Sequence, residues 1–207
     1  MIGARSTPAR TALAWGALAL AVAVPVVVAA LSPLHAYRTP PYVAASLAGV
    51  LALGLLLVQP LLAAGWLPGA RPARLRRWHH RAGAMLVVAV AVHVGGLLIA
   101  SPPDAIDALL LRSPTPFSVW GVTAMWAVGA TAVLVALRRR VRLRPATWAA
   151  LHNGLALVVV LGTVIHAVQI EGTMGTASKW ALCAAAGAAA VAAVARARLG
   201  GLRRRAA

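Results

Sequence analysis

The sequence predicts an all-α integral membrane protein, a six-helix bundle with both termini cytoplasmic, and three observations carry that prediction. Hydrophobic residues make up 61% of the 207, and the mean hydropathy is +0.84. A soluble domain of this length buries far less apolar surface. The apolar residues are gathered into six runs, and the basic residues lie at the flanks of those runs. Seventeen of the 20 basic residues fall at the N-terminus, the second loop, the fourth loop and the C-terminus, leaving only Arg38, Arg112 and Lys179 for the other three loops. All three acids, Asp104, Asp107 and Glu171, join that second group. The positive-inside rule turns this asymmetry into an orientation. It also accounts for the net charge of +17 without nucleic acid, and names anionic lipid head groups as the partners of the basic clusters.

The spans are read in order. Arg5 and Arg10 precede an uncharged run, Thr11 to Leu31, which exceeds a signal-peptide core and has no clean cleavage site before Pro33, so it is read as a retained first span. The link Ser32–Pro41 is short and turn-rich, with His35 read as a surface histidine. The second span runs from Tyr42 to Ala64. Residues 65–81 hold Arg71, Arg74, Arg76, Arg77 and Arg81 and read as a basic loop leading into a third span, Ala82 to Ala100. In the proline-rich loop Ser101–Phe117, Ala105–Leu111 reads as a short interfacial helix. The fourth span is Ser118 to Leu137, closed by five arginines, and the fifth is Ala146 to Gln169. The last run, Trp180 to Ala195, is Ala-rich and shorter than the roughly 20 residues a span needs. Trp66, Trp78, Trp120, Trp148 and Trp180 sit near span ends and read as membrane anchors, not as stacking partners. As domains, residues 1–41 form an N-terminal span and outer loop, 42–197 the main unit, and 198–207 a basic cytoplasmic tail.

The chemistry-bearing residues are histidines. His79 and His93 are 14 residues apart, and so are His152 and His166. On an α-helix, 14 steps bring side chains back to within about 40° of one face, after a rise of about 21 Å. Spans three and five run parallel, so His79 should lie level with His152 near the cytoplasm, and His93 level with His166 near the outer surface. Between the histidines the same faces carry Gly83, Leu86 and Val90, or Ala156, Val159 and Thr163, with no aromatic ring in the way; such faces also suit close helix packing, with each histidine hydrogen-bonding a neighbour. Ionisable groups within spans are costly and mark function. Two imidazoles on one iron leave no position for substrate, which suits a haem that passes electrons. His80 is rotated by about 220° from His93 and reads as facing the head groups. Arg81 reads either as a topology charge or as a haem-propionate partner.

Other chemistry is excluded or ranked lower. The single cysteine, Cys183, allows no intrachain disulfide, covalent haem attachment or thiolate cluster. Three acids leave paired-carboxylate catalysis and carboxylate-rich metal cages very little to work with, and there is no glycine-rich phosphate loop. A small metal or proton transporter, or a scaffold without haem, would need polar groups at mid-membrane that are nearly absent here.

The segment His79-His80-Arg81-Ala82-Gly83 with His93, and Trp148-Ala149-Ala150-Leu151-His152 with His166, resemble the ferric reductase-like transmembrane domain over about residues 45–195. That family includes the membrane parts of ferric-chelate reductases and NADPH oxidases, and the haem subunit of the periplasmic methionine sulfoxide reductase system. The resemblance implies that His79, His93, His152 and His166 are axial ligands of two b-type haems, or of one in members that bind fewer. It also implies electron transfer to an outer acceptor, ferric iron or a periplasmic oxidoreductase, as a ferric reductase-type component in the cytoplasmic membrane. Many relatives continue into a flavin and nicotinamide domain. With no FAD or NAD(P) site in this chain, the expected donor is a separate flavoprotein or a membrane quinol.

Overall fold

The computed structural model describes the backbone of residues 7–206 and the side chains of residues 7–200, so the side chains of Arg5 and of Arg203, Arg204 and Arg205 in the basic tail lie outside the described residues. Among the described residues the chain forms seven α-helices and no strand. These are α1 (Pro8–Ala30), α2 (Pro40–Ala64), α3 (Pro72–Ala100), α4 (Pro102–Leu109), α5 (Pro116–Ala136), α6 (Pro145–Gln169) and α7 (Thr176–Ala206). All except the short α4 are long and apolar enough to cross a membrane.

Each of the first six helices starts at a proline. Proline suits the first helical position, because its fixed φ is already helical and its missing N–H would have had no intrahelical partner. This moves the helix starts ahead of the apolar runs. The largest shift is at α3, which begins at Pro72 and not at Ala82, so most of the expected basic loop is helix. Arginine is a good helix former, and its charge says only that these turns lie outside the hydrocarbon. The last helix differs in the same way. It runs from Thr176 to Ala206, well beyond the expected Trp180–Ala195, because alanine favours the helix and nothing stops it at Arg196 or Arg198. The interfacial helix forms two to three residues earlier than expected, as α4, and the chain leaves it through Leu111 at φ 59°.

The packing has two antiparallel hairpins, α2 with α3 and α5 with α6, and α7 lies against both α2 and α6. The α2 helix is the centre, packed also on α1 and α7. Leu53 and Leu57 of α2 meet Leu182, Cys183 and Ala186 of α7 in a closed apolar cluster. Each hairpin closes at a glycine. A Cβ on Gly96 would stand 2.7 Å from the Pro41 carbonyl oxygen and 2.9 Å from the Ala45 Cβ. One on Gly162 would stand 3.0 Å from the Trp120 carbonyl oxygen. Close backbone approach through small residues is how helices gain contact where lipid offers no hydrophobic drive.

Two residues read from the sequence as lying in loops are less exposed than that suggested. His35 ends a 3₁₀ turn, Pro33–His35, with both ring nitrogens shielded and without a hydrogen-bond partner. Lys179 is buried, its Nζ donating to the Ile170 carbonyl at 2.7 Å, where it offsets the negative end of α6.

The contrast between neighbouring glycines makes a test of the α2–α3 contact. Gly96→Ala should cost about 1–3 kcal/mol through overpacking. Gly95→Ala, with no atom within 4 Å of the new Cβ, should be neutral or slightly stabilising. Thermal unfolding of the two detergent-solubilised variants is the measurement.

Candidate functional site

The four histidines come from the two hairpins, two on α3 and two on α6. The structure brings them together as two pairs. The His79 and His152 ring centres are 6.2 Å apart with planes at 73°, and those of His93 and His166 are 6.5 Å apart at 79°. His80 is exposed, with its ring centre 6.0 Å from that of His79, and it joins neither pair. Arg81 is exposed, two residues beyond His79 and so on another side of α3.

The His93–His166 pair is held identically from both sides. His93 donates from Nδ1 to the Ala45 carbonyl at 2.8 Å, and His166 donates from Nδ1 to the Phe117 carbonyl at 2.8 Å. A carbonyl cannot donate, so each Nδ1 carries the proton and each Nε2 keeps its lone pair. Both acceptors are helix carbonyls, already committed to the N–H four residues on. What makes room for a ring beside each of them is glycine at that position. A Cβ on Gly49 would stand 2.9 Å from His93 Nδ1, and one on Gly121 would stand 2.7 Å from His166 Nδ1 and Cε1.

The His79–His152 pair departs from this in steps. Fourteen residues beyond Ala45 lies Gln59, whose carbonyl accepts from His79 Nδ1 at a longer 3.3 Å. Four residues after Gln59 stands Ala63, not glycine. The corresponding position on α5, fourteen residues beyond Phe117, is Thr131, followed four residues later by the β-branched Val135. Here the bond is missing, and His152 Nδ1 is buried without a partner. Its ring instead stacks on Trp148, centres 4.9 Å apart and planes within 9°. The Arg138 guanidinium lies 4.2 Å over the Trp148 ring. Trp148 is therefore a stacking partner, contrary to its reading as a membrane anchor.

The pairs have the geometry of shared metal ligation. With metal–nitrogen bonds of about 2 Å, two imidazoles on opposite sides of one metal have ring centres about 6 Å apart. Among the described residues no group of three or more His, Cys, Asp or Glu could hold a bare ion. A macrocycle that brings its own ring nitrogens would need only the two imidazoles that stand at each level. The residues fit haem on ligand chemistry as well, since three of the four rings carry a fixed Nδ1–H and turn Nε2 free, the usual outer-shell arrangement of metal-bound histidine.

A family model for the ferric reductase like transmembrane component matches residues 48–163. The chain belongs to that family. The match takes in His79, His93 and His152 and stops three residues short of His166, and it leaves α1 and α7 outside. No curated protein and no solved structure matches the chain. Membership in the ferric reductase-like family points to transmembrane electron transfer and to b-type haem as the family's cofactor.

The glycines beside the His93 and His166 rings were invisible to a search for polar residues. The signal they left is glycine four residues after a carbonyl that faces a histidine, and only the helix register reveals it. Gly49→Ala and Gly121→Ala should each lower haem bound per chain towards one half of the wild-type value by displacing an outer ring. Gly154→Ala, which meets nothing within 4 Å, should leave it unchanged; pyridine haemochrome assay against protein concentration reads all three.

Proposed function

We propose that the protein carries electrons across the cytoplasmic membrane through two bis-histidine b-type haems, one near each surface. The observation that carries this reading is the paired placement of His79 with His152 and of His93 with His166 at 6.2 and 6.5 Å. Haem, when bound, would supply one-electron chemistry. The protein's residues do the rest. The four imidazoles would hold the group by Nε2, and the carbonyls of Gln59, Ala45 and Phe117 fix three of the rings by Nδ1. The apolar walls of α3 and α6, including Leu86 and Val159, exclude water and keep the surrounding dielectric low.

In this reading both termini face the cytoplasm, following the basic residues at that end. Residues 42–197 form the haem-binding unit. Arg81, exposed at the same end, is available to a haem propionate at the surface. The donor is a separate flavoprotein or a membrane quinol. The acceptor is on the outer side, ferric iron in the first instance, with a periplasmic oxidoreductase as the alternative within the same chemistry.

His93→Ala and His166→Ala separate the levels. Each should remove the outer haem and leave about half the haem per chain, still low-spin. Full haem content in both variants would overturn the ligand assignment.

A further inference from the structure

Three of the four histidines are fixed by a backbone carbonyl, and His152 is the exception. Its Nδ1 is buried and unpartnered, its ring lies flat on Trp148, and Trp148 Nε1 is likewise buried and unpartnered. Above Trp148 sits Arg138, 4.2 Å from the ring centre. Arg138, Trp148 and His152 thus form one column that ends at a cytoplasmic-side imidazole. Arg138 comes from the 3₁₀ turn Leu137–Arg139 that closes α5, while Trp148 and His152 are one turn apart on α6.

Resting on the haem reading above, we propose that Trp148 and Arg138 are positioning residues for His152. They replace the missing carbonyl and raise the reduction potential of the His79–His152 site. Two physical effects act in the same direction. An imidazole with no acceptor on Nδ1 is less electron-rich, and a less basic axial ligand favours the reduced iron. A cation held close by, at the edge of a low-dielectric region, also favours the state of lower positive charge. The stack is what keeps both in place. The flat face of Trp148 sets the His152 ring plane, and cation–π attraction keeps the guanidinium over the ring. At the other site the rings lean on carbonyls beside Gly49 and Gly121, so the missing acceptor belongs to His152.

The test is a spectroelectrochemical titration of the purified full-length protein, with electron paramagnetic resonance of the oxidised state. His152→Ala identifies the cytoplasmic-side wave by its loss. Arg138→Gln changes an exposed side chain, so folding is not at stake. It should shift that wave to lower potential and leave the other where it was. Trp148→Leu should alter the low-spin signal of the same haem alone, and Trp148→Phe, which keeps a flat face, should restore it. If Arg138→Gln moves neither wave, or both equally, the column does not tune this site. If Trp148→Phe is as disturbed as Trp148→Leu, the ring face is not what orients His152. Wild-type protein without haem would overturn the haem reading itself, a result distinct from haem-loaded protein with unmoved waves.

Discussion

A histidine inside a bilayer has no water to satisfy its second nitrogen, and the backbone carbonyls around it are already used by their own helices. The site depends on how this conflict is resolved. A helix carbonyl can accept a second hydrogen bond only if the side chain four residues on leaves space for the incoming ring. Glycine leaves that space at Gly49 and Gly121, and the bonds from His93 and His166 are both 2.8 Å. The corresponding residue beside Gln59 is Ala63, and the bond from His79 is 3.3 Å. On α5 the corresponding residue is Val135, and His152 Nδ1 has no partner. The four histidines are therefore graded in their support, although their spacing along the chain is uniform.

The grading follows from the two-hairpin architecture. Because α3 packs on α2 and α6 on α5, the carbonyls that support three of the rings come from the histidine's own hairpin partner, and each ring stands beside one from the other hairpin. Gly96 and Gly162 bring the partner backbones close enough for those carbonyls to reach. Between their histidines, α3 carries Gly83, Leu86 and Val90 and α6 carries Ala156, Val159 and Thr163, with no aromatic ring at these positions.

Much of this was legible in the sequence, and the divisions are physical. The histidine levels could be read because a spacing of 14 is a property of a single helix, fixed by 3.6 residues per turn. The six spans could be read because hydrocarbon thickness sets their length. Their starts could not, since a membrane-length apolar run does not show where the helix begins in the polar flank, and Pro72 places that start ten residues before Ala82. The ring supports were hidden for another reason. They belong to α2 and α5, and which carbonyl faces which ring depends on interhelical register. Trp148 was misassigned because tryptophan at a span end is ordinarily an anchor, and only its distance to His152 separates the two roles. His35 and Lys179 look like loop residues in sequence, and packing against neighbouring segments shields them.

The most direct measurement is the dithionite-reduced minus oxidised spectrum of the purified protein, with haem quantified against protein concentration. Two paired histidine levels should give low-spin b-type bands and close to two haems per chain. Protein that remains free of haem after expression with ample haem supply would contradict the electron-transfer assignment, whatever the distances between the rings.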